Sequence, residues 1–193
     1  MEKGTWATVQ KAVDGDTLRL VNGKSVRLIG IDAPEIDHEN QNHEPMAMEA
    51  WRFLSSMTNG KRVRLVQGQA HLDSYGRILA YVYDPEGRML NFQMVEKGLA
   101  HVLYLYPDVQ AFEKLLGAQR QALKNKQGKW RNFKWEQGPF VGNHRTKRFH
   151  RPDCSSAQTI NSKHSVLLKN EREALWEGYA PCRQCLSFAK KKS

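Results

Sequence analysis

The sequence predicts a β-rich α+β fold: an OB-type five-stranded barrel with about three helices, followed by a small second α+β module. Five short stretches of strand texture fall between residues 5 and 83, with helix-like spacing inserted among them and appended after them. That pattern suits a small closed barrel. All three cysteines, Cys154, Cys182 and Cys185, lie in the last forty residues. The chain therefore divides into a cysteine-free domain, 1–137, and a cysteine-bearing one, 138–193. A length of 193 residues accommodates one medium domain and a small appendage.

The elements follow in order. Thr5 to Val13 alternates and is rich in β-branched residues. Thr17 to Val21 and Ser25 to Ile31 are joined at Asn22-Gly23, a strong hairpin signal. Met46 to Met57 places Ala47, Trp51, Leu54 and Met57 on one helical stripe and closes before Asn59-Gly60. Arg62 to Val66 and Ile78 to Tyr83 supply two more strands, the second ending in the turn Asp84-Pro85-Glu86-Gly87. Leu90 to Lys97 predicts a short helix stopped at Gly98. Asp108 to Lys126 predicts a longer one, with Phe112, Leu115, Leu116, Gln119 and Leu123 on one face. After the aromatic and basic run from Trp130 to Trp135, Glu136-Gln137-Gly138-Pro139 reads as a linker. Lys190-Lys191-Lys192 reads as a solvated end.

Thirty Lys and Arg against twenty Asp and Glu give a net charge of +10. An excess of that size suits a polyanion such as DNA or RNA, because phosphate contacts release counterions and steer encounter. The 40% hydrophobic content excludes wholesale disorder, and no window is apolar enough to span a membrane. A monomer with no protein partner is expected. The start carries no signal pattern, so a secreted or periplasmic location is expected only if a signal peptide was removed before Met1.

Two segments carry most of the chemistry: Val13-Asp14-Gly15-Asp16-Thr17 and Val26-Arg27-Leu28-Ile29-Gly30-Ile31-Asp32-Ala33-Pro34-Glu35. An EF-hand reading of the first fails, since Leu18 takes the third ligand position and the loop's Gly and Glu are missing. Asp16 and Asp32 at adjacent strand ends offer hard oxygens to a divalent cation, and calcium accepts such an irregular set. Arg27 shares a side of its strand with Ile29 and Ile31, where a charge needs an anion to meet. A guanidinium meets a phosphate bidentately. Glu35 follows the rigid Pro34 and is placed to orient or deprotonate a water. Asp73-Ser74-Tyr75-Gly76-Arg77 is a turn presenting another arginine. Together these groups match the needs of in-line phosphodiester cleavage.

Asp14-Gly15-Asp16-Thr17, Arg27 through Glu35, Tyr75-Gly76-Arg77, Leu79 to Tyr83 and Gly98-Leu99-Ala100-His101-Val102 resemble, in order, the staphylococcal (micrococcal) nuclease or thermonuclease family over residues 5–130. The resemblance implies a calcium-dependent nuclease acting on DNA or RNA. In it, Asp16, Asp32 and the Ala33 carbonyl hold calcium, Glu35 serves the attacking water, and Arg27 and Arg77 hold the scissile phosphate. It also implies that Tyr75, Tyr104 and Tyr106 line the nucleotide site. Ala33 stands where the family often has Thr, which leaves a carbonyl ligand intact. Ser74 stands where a basic residue often helps to hold a terminal phosphate, which weakens that expectation. The alternative is a non-catalytic OB-type nucleic-acid-binding module, and the intact set of Asp16, Arg27, Asp32, Glu35 and Arg77 counts against it.

In the second module, His150-x3-Cys154 and Cys182-x2-Cys185 supply one imidazole and three thiolates, a complete tetrahedral set for structural zinc, with His144 or His164 as alternative fourth ligands. So short a segment buries little core, which makes a metal valuable to its folding. Between the ligand pairs, Asn170 and Glu173 predict a capped helix ended by Gly178. Residues 140–188 resemble the metal-binding domain of the Ada DNA-repair protein. That domain has a methyl-accepting cysteine where His150 stands, so the resemblance implies fold, zinc and DNA contact but not repair chemistry.

Overall fold

The computed structural model of the chain describes residues 4–40 and 42–186, and the Lys190-Lys191-Lys192 tail lies outside them. The first part runs β1 (Thr5–Ala12), β2 (Thr17–Leu20), β3 (Ser25–Leu28), β4 (Ile31–Asp32), α1 (Ala47–Thr58), β5 (Arg62–Leu72), β6 (Ile78–Tyr83), α2 (Leu90–Glu96), β7 (His101–Val102) and α3 (Phe112–Lys124). Five of these strands close a barrel in the order β1-β2-β3-β6-β5. The β3–β6 pair is parallel, with Arg27 opposite Leu79, and the other pairs in the barrel are antiparallel. Alternation sends Val9, Leu18, Val26, Leu28, Val63 and Val82 into one core, capped by Leu54 of α1, Met94 of α2 and Leu115 of α3. Truncating a fully buried leucine such as Leu28 to alanine costs about 2–5 kcal/mol.

The second part runs β8 (Gln137–Asn143), β9 (Arg148–His150), α4 (Ser155–Gln158), β10 (Ser165–Asn170), α5 (Glu171–Trp176) and β11 (Ala180–Pro181). Its strands form a four-stranded sheet in the order β10-β8-β9-β11. Phe140, Phe149, Leu168, Leu175 and Tyr179 build its core, and Ala122, Leu123 and Trp130 enter that core from the barrel side. The Trp130–Trp135 run, basic and aromatic in sequence, packs here: Trp130 and Trp135 stack 6.0 Å apart.

Helix α3 is the seam between the two parts. Gln119 is fully buried. Its side-chain oxygen accepts from the Val102 N–H at 2.7 Å, and its amide nitrogen donates to the Leu175 carbonyl at 2.5 Å. From the next residue, Arg120 Nε donates to the Trp176 carbonyl at 2.9 Å. Gly178, at φ 78°, ends α5 so close to Phe112 and Leu116 that a Cβ would collide with them.

Four sequence expectations need correction. The strand expected over Ser25 to Ile31 breaks at Gly30, whose φ of 78° turns the chain. Ile29 then joins an outer cluster with Leu79 and Tyr81, while Ile31 returns to the inner core. β5 runs past Val66 to Leu72, because the Asp108 carboxylate accepts from the Gln69 and Ala70 N–H groups at 2.5 and 3.2 Å and steadies a polar, irregular stretch. The expected linker is absorbed at Gln137, where β8 begins, since β10 offers it a ladder. Asn170 caps α5 through the Glu173 N–H at 2.8 Å, but the Glu173 carboxylate accepts from Lys169 rather than from Asn170.

Candidate active site

Each group of the site is held by a backbone feature. Asp16 sits at the start of β2, its N–H donating to the Asp14 carboxylate at 2.8 Å and its carbonyl accepting from Leu28 at 2.9 Å. Its outer carboxylate oxygen, Oδ2, accepts from the Ala33 N–H at 2.8 Å, which ties the two chemical segments together. The turn at Gly30 brings Asp32 back beside Asp16. A single Arg27 nitrogen, Nη2, lies 3.0 Å from Asp16 Oδ2 and 3.2 Å from Asp32 Oδ1. Two buried carboxylates thus converge on one cationic nitrogen, with Arg27 itself buried.

Arg77 comes from the β5–β6 turn. Asp73 organises that turn by accepting from the Tyr75 and Arg77 N–H groups at 2.9 and 3.0 Å, and from Arg77 Nε at 2.7 Å. Arg77 Nη1 also reaches Thr17 Oγ1 at 3.4 Å, next to Asp16. Arg27, Asp32, Glu35, Tyr75, Arg77 and Tyr106 line one open cleft. Tyr75 and Tyr106 are strongly exposed, at 83% and 79%. Tyr104 lies outside that lining and packs its ring edge-on against Phe112 at 5.1 Å, so its placement favours packing over substrate contact.

Electrostatics separates the carboxylates. Burial works against charge on Asp32, but the guanidiniums of Arg27 and Arg183 beside it outweigh that and hold the carboxyl below its ordinary value. His101, opposite Asp32 in the β4–β7 pair, is itself held well below its ordinary value by burial and by Lys129. Its Nδ1 lies 3.0 Å from the Lys129 ammonium, which leaves the ring proton on Nε2, facing Asp32. A neutral His101 leaves the arginines as the charges that stabilise the Asp32 anion. Burial and Asp16 push Glu35 upward, and burial and Asp16 raise Asp14 to about 7.

Three residues at this site were given no role by sequence reasoning: Asp14, Arg148 and Arg183. The last two come from the second part of the chain. Arg183 Nη2 lies 2.5 Å from Asp32 Oδ1 and 2.8 Å from Glu35 Oε1, and Arg148 lines the same cleft. The available signal for Arg183 was a basic residue between two closely spaced cysteines, and nothing in that spacing points at the barrel.

Away from the cleft, His150, Cys154, Cys182 and Cys185 bring one ligand atom each to within 4.8 Å of one another. They are the one group of three or more His, Cys, Asp or Glu gathered this way among the described residues. The Cys154 sulfur lies 3.7 Å from His150 Nδ1. A tetrahedron with arms of ~2.3 and ~2.0 Å has an edge of about 3.6 Å, so the donor set fits a small soft cation. His144 and His164 pair with each other instead, at 3.3 Å, on the exposed side of the sheet.

The barrel and its cleft define a small OB-type protein in which Arg27 and Arg77 line one cleft beside buried carboxylates. The chain belongs to the staphylococcal nuclease homologue family, whose model matches residues 25–132. It is 35% identical over 127 residues to a thermonuclease of Staphylococcus hyicus, covering 64% of this chain and 75% of that one. A thermonuclease of Staphylococcus intermedius is 33% identical over 132 residues, covering 66% and 77%. Endonuclease YncB of Bacillus subtilis (strain 168) is 30% identical over 128 residues, covering 64% of this chain and 60% of that protein.

Proposed function

We propose that this protein is an endonuclease-type phosphodiesterase that cleaves DNA or RNA with calcium in the barrel site. The observation carrying this reading is the convergence of Arg27, Arg77 and Glu35 on one cleft, with Asp32 buried beside them. Arg27 and Arg77 grip the scissile phosphate from two sides, one guanidinium rigid within the barrel wall and the other steered by Asp73. Glu35, with its carboxyl raised, accepts the proton of the attacking water more readily than an ordinary carboxylate. Tyr75 and Tyr106 offer exposed rings for bases to stack on.

Asp16, Asp32 and the Ala33 carbonyl hold the calcium. The donor chemistry fits: two carboxylates already share one cation, all donors are hard oxygens, and calcium tolerates a shell completed by water. When bound, calcium supplies positive charge against the phosphate oxygens as they gain negative charge.

Residues 138–193 act as an accessory domain resembling the Ada metal-binding domain. There, His150, Cys154, Cys182 and Cys185 hold one structural zinc, and the surplus of basic residues adds affinity for nucleic acid. His150 lacks the thiolate that methyl transfer needs.

The test is cleavage of single-stranded DNA, duplex DNA and RNA with calcium, with magnesium and with a chelator of calcium. Cleavage supported by calcium and abolished by chelation is expected. Full activity in excess chelator contradicts the calcium assignment, and no cleavage of any substrate under any condition contradicts the enzyme.

A further inference from the structure

The contact between Arg183 and the barrel carboxylates has no counterpart in the phosphate clamp. One guanidinium nitrogen bridges Asp32 Oδ1 and Glu35 Oε1, at 2.5 and 2.8 Å. The same Asp32 oxygen already faces Arg27. Arg183 is also 151 residues away from Asp32 in the chain, so this placement depends on how the second sheet docks.

Within that sheet, the backbone is held on both sides of Arg183. Pro181 precedes it in β11, paired with Phe149 of β9, and its carbonyl accepts from Arg148 Nη1 at 2.9 Å. The Cys182 N–H donates to the Phe149 carbonyl at 2.9 Å, and the Leu186 N–H to the Cys182 carbonyl at 2.8 Å. Cys182 and Cys185 of the four-ligand cluster flank Arg183 in sequence. The backbone is held in the sheet, while the side chain, 56% exposed, reaches into the cleft it lines.

A divalent cation drawing on Asp32 meets this guanidinium at the same oxygen. Two cations at one oxygen of a buried carboxylate repel, so either occupant weakens the other. We propose that Arg183 is a tethered counter-cation that competes with the divalent ion for Asp32 while its second contact holds Glu35, so that the second sheet tunes the calcium affinity of the barrel. The proposal rests on the calcium reading above. It gives the accessory region a task at the site besides holding nucleic acid: Arg183 neutralises two acidic groups in the metal-free enzyme and must move aside when the metal enters.

Calcium titration calorimetry on the full-length protein without substrate provides the test. Arg183→Ala and the bulkier Arg183→Gln should each bind calcium at least ~5-fold more tightly than the wild type, the lower end of ordinary coupling between sites. Arg145→Gln removes a charge from an exposed turn of the same sheet and should leave the affinity within about twofold of wild type. Equal or weaker calcium binding by both Arg183 variants overturns the proposal while leaving the calcium site standing. If neither the wild type nor any variant binds calcium, the calcium reading falls and takes the proposal with it.

Discussion

The barrel and the second sheet are stabilised by different means. In the barrel, the side chains of five paired strands fill the interior, and α1, α2 and α3 cover it with leucines and a methionine. The second sheet has four strands and a small core that borrows Ala122, Leu123 and Trp130 from the other side of the seam. Its far end is drawn together by one histidine and three cysteines. A region with its own large apolar core can hold a costly arrangement such as two buried carboxylates facing one buried arginine. The second region's smaller core draws on residues from across the seam, so its position is open to what happens there. Arg183 is where that dependence reaches the chemistry.

The largest expected effect tests the metal's share. With the proposed zinc at the four-ligand cluster, its removal, or Cys182→Ser, should abolish hydrogen-exchange protection in β8, β9 and β10 while β5 and β6 keep theirs, because structural zinc contributes apparent energies of ~10–16 kcal/mol in small modules. Protection that survives in β8–β10 without zinc would mean that the seam alone suffices.

Next in size is the phosphate clamp. Arg27→Ala or Arg77→Ala should each lower the cleavage rate at least ~10²-fold with circular dichroism unchanged, since each removes a charge aimed at the transition state. Wild-type rates in both would move the chemistry out of this cleft.

The seam itself is tested by Gln119→Leu, which keeps the volume but leaves the Val102 N–H and the Leu175 carbonyl without their partner. A loss of about 1–3 kcal/mol is expected in denaturant unfolding. If the two regions are as coupled as the shared core implies, unfolding stays a single transition in the wild type and broadens or splits in the variant.

The smallest effect concerns Asp73, which steers Arg77. Burial opposes charge on this carboxyl, yet its hydrogen bonds to Arg77 and Tyr75 outweigh that and hold it below its ordinary value. Its stabilisation is therefore fully present above the unfolded value of ~3.9 and is lost as pH falls through the lower folded one. Asp73→Asn should cost about 1 kcal/mol near neutral pH, limited by solvent screening, and the melting curves of variant and wild type should converge in acid.

Much of this was legible in the residues. Alternation, Asn22-Gly23 and the helical stripes located the barrel strands and helices, because those signals are local. Asp16, Asp32, Arg27 and Arg77 could be picked out because charges at strand ends and turns stand out against apolar neighbours. The cysteine spacing located the four-ligand cluster for the same reason. What stayed hidden was tertiary. The break at Gly30 came from a single φ angle, and β5 outran Val66 because Asp108, far along the chain, supplied the missing partners. Tyr104 looked like its neighbour Tyr106 until Phe112 packed beside it. Arg183 belongs to a local motif of one region and contacts carboxylates of the other, and no spacing rule connects them.

Glu35→Gln offers the most direct measurement of the chemistry assigned to the barrel. The substitution nearly keeps shape but removes the ability to take a proton, together with the negative charge that pairs with Arg183. Single-turnover cleavage of single-stranded DNA should be followed in saturating calcium, so that competition with Arg183 does not enter. A rate at least ~10²-fold below wild type, with calcium and DNA binding retained, is the predicted result. Cleavage at the wild-type rate would contradict Glu35 as the proton acceptor and, with it, the barrel cleft as the catalytic centre.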